Sequence, residues 1–115
     1  MDKESINRGR IERINQEILE VIQKYIKKIF ENYKVEAIIL FGSYAKGTEH
    51  EDSDIDIAIV TNDFKSDIFD EEVKLMKLRK GIDYRIEPHI IRIEDYKEIS
   101  TPFVQEVIDT GIKVA

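Results

Sequence analysis

Asp54 and Asp56 stand one residue apart in the apolar run Asp54 to Val60, ten residues beyond a Gly42-Ser43 pair that closes another apolar run, Val35 to Phe41. Side chains alternate faces along a β-strand, so both aspartates project to one side while Ile55, Ile57 and Ile59 project to the other. Two carboxylates roughly 6–7 Å apart on one strand can converge on a hard cation such as Mg²⁺. A glycine-serine turn offers backbone N–H groups and a hydroxyl to an anion. A metal beside a phosphate cradle is what a nucleoside triphosphate requires. Aspartate is also disfavoured in strands, and two on one face repel each other unless a cation lies between them. Gly42 and Gly47 have the outer spacing of a P-loop, but Thr48 occupies the position where that motif requires lysine, so the P-loop reading fails.

The elements that must position these residues are legible in the periodicity. Ile11, Ile14, Ile18, Val21/Ile22, Tyr25/Ile26 and Ile29/Phe30 recur at three- and four-residue steps, which predicts one long N-terminal helix over about residues 5–32, capped by Ser5 or Asn7. Val35 to Phe41 reads as a buried strand, followed by a turn with one helical turn at Ser43–Lys46, then the strand Asp54 to Val60. Residues 67–80 form a second amphipathic helix with Gly81 as its C-cap. Ile82 to Ile91 alternates, with Ile82, Tyr84 and Ile86 on one side and Asp83, Arg85 and Glu87 on the other, and predicts a third strand. Pro88 confines that strand to an edge or ends its ladder. A C-terminal helical segment spans about residues 94–110, with Pro102 at a helix start, and a short apolar tail follows at Ile112 to Val114. The expected fold is α+β: a two-layer domain over residues 1–115 with a mixed sheet, helices mainly on one face, and a catalytic core over about residues 35–91.

Gly-Ser, about ten residues, then Asp-x-Asp is the signature of the DNA polymerase β-type nucleotidyltransferase superfamily, and at Gly42, Ser43, Asp54 and Asp56 the chain resembles its smallest members, the minimal nucleotidyltransferases. The resemblance covers roughly Val35 to Ile91. It implies that Asp54 and Asp56 bind two Mg²⁺ ions and that Gly42 and Ser43 hold the phosphates of ATP. The alternation alone leaves Asp83 and Glu87 equally placed as a third carboxylate. Ile82-Asp-Tyr-Arg85 resembles the polymerase β strand that carries the third catalytic aspartate, with an arginine two residues later. The resemblance therefore implies Asp83 as the third catalytic and metal-binding residue, with Glu87 as the alternative. Lys46 stands where relatives place the second arginine of Gly-Ser-Arg-x-Arg-Gly and would contact phosphate as a point charge; Tyr44 replaces the first.

Composition bounds the rest. The chain has 115 residues, 42% hydrophobic and 37% charged, a formal charge of −6 and no cysteine. That is one well-solvated domain without disulfides or thiolate metal sites. The acidic balance, with no fingers or thumb, excludes a template-directed polymerase, whose affinity rests largely on phosphate neutralisation. No signal-like leader or membrane-length apolar run is present, and a cytoplasmic location without membrane contact is expected. His50 and His89 lack partners at ligand spacing and read as loop and strand-end residues; Arg85 reads as a partner of the carboxylates.

The expected reaction moves a nucleoside monophosphate, AMP from ATP, to a hydroxyl. The resemblance implies a HEPN-domain protein as partner and a toxin–antitoxin setting, with the chain as antitoxin modifying its toxin. The stripe of the first helix also allows a homodimer. Two other readings stay open: an inactive module that neutralises a partner by occlusion, and an enzyme acting on a small molecule such as an aminoglycoside.

Overall fold

In the computed structural model, residues 9–115 are described. Helix α1 (Gln16–Asn32) starts where the Asn15 side chain accepts the N–H of Glu17 at 2.8 Å, and it buries the stripe Ile18, Ile22, Tyr25 and Ile29. Residues 9–12 are helical as well, but a turn at 13–14 separates them from α1. The single helix expected over residues 5–32 is therefore interrupted, because Asn15 caps a new helix instead of continuing the old one. Ile11 and Ile14 still pack on the same core, which is why the periodicity ran through the break. Ser5 and Asn7 lie outside the described residues.

Four strands follow: β1 (Ala37–Phe41), β2 (Ile55–Val60), β3 (Ile86–Ile91) and β4 (Ile112–Lys113), in the order β3-β2-β1-β4. β1 runs antiparallel to β2 and β4, while β2 and β3 are parallel, giving the mixed sheet expected. Four further helices connect or cover them: α2 (Ser43–Lys46), α3 (Ile68–Leu78), α4 (Ile93–Glu98) and α5 (Pro102–Thr110). β3 is an edge strand, as Pro88 requires, but it begins at Ile86 and not at Ile82. The apolar tail is a strand: Val114 donates its N–H to the Ile38 carbonyl at 2.8 Å. Gly111 lets the chain turn into β4, since a Cβ there would collide with the Val107 carbonyl and the Ile39 side chain.

Alternation divides the sheet into two faces. Ile38, Leu40, Ile55, Ile57, Ile59 and Ile86 pack under α1 and α3 around Tyr25 and Leu75. The Tyr25 hydroxyl donates to the Leu75 carbonyl at 2.7 Å and so ties the two long helices together. Ala37, Ile39, Phe41, Ala58, Val60 and Ile91 face the other way, against Val104 and Val107 of α5 with Ile93 and Tyr96 of α4 beside them. The long helices thus share one face and two short ones cover the other. Among the described residues no helix is long and apolar enough to cross a membrane.

One carboxylate is fully buried in this frame. Glu71, 2% exposed, accepts from the Tyr33 hydroxyl at 2.7 Å, the Ser66 hydroxyl at 2.8 Å and the Lys65 and Ser66 amides at 3.1 Å each. Burial alone would raise its pKa, but these bonds outweigh that and bring it to about 2.

Candidate active site

β1 ends at Phe41, opposite Asp56 of β2. The next residue, Gly42, has φ 73° and ψ −154°, a conformation open essentially to glycine alone. A Cβ built there would fall inside the envelope of Asp56 Oδ2 and lie 3.2 Å from its Cγ. The Asp56 carboxylate therefore rests directly over the Gly42 backbone. Glycine is required twice, for the turn and for the close approach. Ser43 opens α2, whose first turn closes as the Ala45 and Lys46 amides donate to the Gly42 carbonyl at 3.1 Å each.

Asp54, exposed, precedes the first residue of β2, and Asp56 is partly buried one residue into it. The parallel register sets Glu87 of β3 opposite Asp56. Burial pushes the Asp56 carboxyl above its ordinary value; His89 works against this, and the negative charges of Asp54 and Glu87 add to the rise. His89 Nε2 stands 3.7 Å from Asp56 Oδ1. Its ring packs on Phe41 and Phe103, with centroids 5.3 and 5.7 Å away, so an aromatic wall borders the carboxylates. From spacing alone His89 reads as a strand-end residue. Its shared parity with Glu87 was the available signal, but only the β2–β3 register reveals its neighbour.

Asp83 is elsewhere. It lies in the turn ahead of β3, where its carboxylate binds the Arg85 guanidinium at 2.8 and 3.0 Å. Hydrogen bonding and the arginine charge hold it below its ordinary pKa, against a smaller opposing effect of burial. The expectation that Asp83 shares a strand face with Glu87 is thus corrected: residues 82–85 are turn. Arg85 does pair with a carboxylate, as read from sequence. Tyr44 packs against the core and accepts an N–H from Arg85 at 3.2 Å. Lys46 reaches Glu106 of α5 at 3.3 Å, in an exposed pair. His50 lies in the loop before β2, its amide donating to the Ser53 hydroxyl at 2.9 Å.

No group of three histidine or carboxylate side chains among the described residues is drawn together as a finished metal cage. The donor set still suits a hard divalent cation: Asp54, Asp56 and Glu87 offer only oxygen, and their mutual repulsion is what such an ion relieves. Two clefts of about 360 and 300 Å³ are lined by neither Asp54 nor Asp56; the smaller is bordered by Tyr44, His50 and Arg85.

Residues 24–115 match the polymerase beta nucleotidyltransferase family. The Methanocaldococcus jannaschii protein MJ1379, provisionally named a protein adenylyltransferase, is 34% identical over 84% of this chain and 92% of its own length. MJ1215 of the same organism, named likewise, is 50% identical over 45% of this chain, but the match spans only 59% of that relative. The protein adenylyltransferase MntA of Shewanella oneidensis is 36% identical over 76% of this chain and 60% of its own. Among solved structures, a toxin–antitoxin crystal structure with AMP-PNP superposes with a TM-score of 0.56 at 28% identity, covering 81% of this chain and 71% of that one.

Proposed function

Because the chain belongs to the polymerase β nucleotidyltransferase family, we propose that it transfers AMP from ATP to a hydroxyl on a partner protein, releasing pyrophosphate. The observation that carries this reading is the Asp56 carboxylate seated over Gly42 and in register with Glu87. It joins an acidic cluster to an open turn at one point.

Asp54, Asp56 and Glu87 would hold Mg²⁺, which supplies charge neutralisation at the phosphates and acidifies a bound hydroxyl. Glu87, not Asp83, is the third carboxylate of this proposal, since Asp83 is engaged by Arg85. Ser43 would donate its hydroxyl to the β- or γ-phosphate, and the first amides of α2 would bind alongside. Lys46 would exchange Glu106 for phosphate, both being exposed surface partners. The acceptor oxygen attacks the α-phosphorus in line as the bond to pyrophosphate breaks, and its proton passes to the carboxylate cluster. Positioning and fixed charge, not covalent chemistry, supply the rate.

The partner is proposed to be a HEPN-domain toxin, with this chain as its antitoxin in a cytoplasmic pair. A toxin–antitoxin complex among the structural neighbours and relatives named protein adenylyltransferases support that assignment. The test is a transfer assay with α-labelled ATP and the protein encoded beside this one, comparing wild type with Asp54→Asn and Glu87→Gln. Label should reach the partner with wild type alone. A tight, unlabelled complex would reject transfer in favour of neutralisation by occlusion.

A further inference from the structure

α2 is only four residues long, and its N-cap, Gly42, has no side chain to cap it. A single helical turn does not hold its own orientation in water. Something outside it must fix the Gly42-Ser43 turn, and the corner ahead of β3 is built to do so. The Asp83 carboxylate grips the Arg85 guanidinium at two points and also accepts the Arg85 backbone N–H at 2.9 Å, an Asx-type turn that locks the arginine in one direction. From there Arg85 Nη1 donates to the hydroxyl of Tyr44, the second residue of α2. The carbonyl of the same arginine accepts the N–H of Ile55 at 2.8 Å, and Ile55 is the residue between Asp54 and Asp56. Arg85 therefore touches the acidic strand through its backbone and the phosphate turn through its side chain. Arg79 braces the corner from behind, donating to the carbonyls of Tyr84 and Ile86 at 3.2 and 2.9 Å.

We propose that Asp83, Arg85 and Tyr44 form a positioning clamp that sets the Gly42-Ser43 turn against Asp54 and Asp56, with Asp83 acting through Arg85. The ligand side of this inference rests on the nucleotide-transfer reading; the structural side does not. Three substitutions probe it. Tyr44→Phe keeps the packed ring and removes only the hydroxyl, Arg85→Lys keeps the charge without the two-pronged geometry, and Asp83→Asn keeps the size.

Amide hydrogen exchange over residues 43–48, measured without ligand, should rise severalfold in all three. Mg·ATP binding by calorimetry should weaken about 10-fold, the equivalent of one charge-assisted hydrogen bond. KM for ATP should rise in step while kcat and the Mg²⁺ dependence stay near wild type. Tyr44→Phe combined with Asp83→Asn should lose little more than either alone, because both cut one linkage. Unchanged exchange in Tyr44→Phe overturns the clamp. So does an Asp83→Asn protein that loses kcat and demands more Mg²⁺, for that is a metal ligand's behaviour. If wild type binds no Mg·ATP, the transfer reading falls, and the exchange measurement still decides the clamp.

Discussion

Replacing Gly42 by alanine loads two separable costs onto one position. The first is conformational: φ 73° with ψ −154° lies in a region that residues with a Cβ scarcely populate, at a cost of about 1–3 kcal/mol. The second is local: the new methyl would overlap Asp56 Oδ2, which must retreat by about 1 Å to reach an ordinary contact. A displacement of that size in a reacting constellation costs about 100-fold in rate. Gly47→Ala separates the two. Gly47 has φ 75° and ψ 21°, and a Cβ there meets nothing within 4 Å, so it pays about 1–2 kcal/mol of backbone strain and no clash. Urea denaturation should therefore show both variants destabilised, with midpoints lowered by about 1 M given a slope of about 1–3 kcal/mol per M. Label transfer at saturating folded protein should fall about 100-fold for Gly42→Ala and less than about 5-fold for Gly47→Ala. Gly42→Ala transferring within a few-fold of wild type would refute the placement of Asp56 as part of the working site.

Three further outcomes are expected. Glu71 has a folded-state pKa of about 2 against an ordinary 4.5, so the stability it lends is complete above about pH 4.5 and is lost as pH falls through about 2; the amount is on the order of 3 kcal/mol. Glu71→Gln should forfeit most of it at pH 7 and flatten the acid limb of the stability curve across that window, as thermal melts at stepped pH would show. Asp56 is shifted the other way, chiefly by burial, with His89 opposing the rise and the like charges of Asp54 and Glu87 adding to it, so its ionised form is a burden to the metal-free fold. Asp56→Asn should accordingly melt no lower than wild type without Mg²⁺ while abolishing transfer; a lower melting point would contradict the charge crowding. Lys46→Met should leave stability within about 1 kcal/mol, since its pair with Glu106 is exposed, yet raise KM for ATP several-fold, and an unchanged KM would remove Lys46 from the phosphate site.

The mixed character of the sheet, the edge position of the Pro88 strand and the meeting of Gly42 with the aspartate strand were readable from residues. In each case one local constraint, alternation or a missing N–H, determines the answer. The misreadings share a different cause. Ile82 to Ile91 alternates throughout, but Asp83 bonds its own backbone two residues on, and that local bond competes with the ladder and keeps residues 82–85 as turn. Side-chain period cannot detect such a competitor. The helix break at Asn15 hid for the opposite reason, since Ile11, Ile14 and Ile18 pack on one core from two helices. His89 acquires its meaning only from the parallel register with β2, a tertiary fact. β4 is two residues long and pairs across most of the chain, beyond the reach of any window.

The backbone bonds from Ile55 to Arg85 and from Thr61 to Ile91 have a consequence for assembly. They show the carbonyls of Arg85 and Ile91 aimed inward at the second strand; the N–H and C=O of one strand residue share a side and sides alternate, so the Pro88 nitrogen faces the outer rim. An incoming strand would meet a rung with no donor halfway along that margin. Fibril-like stacking and edge-to-edge dimerisation are discouraged on this side, and any companion protein is directed toward the loops and helices instead.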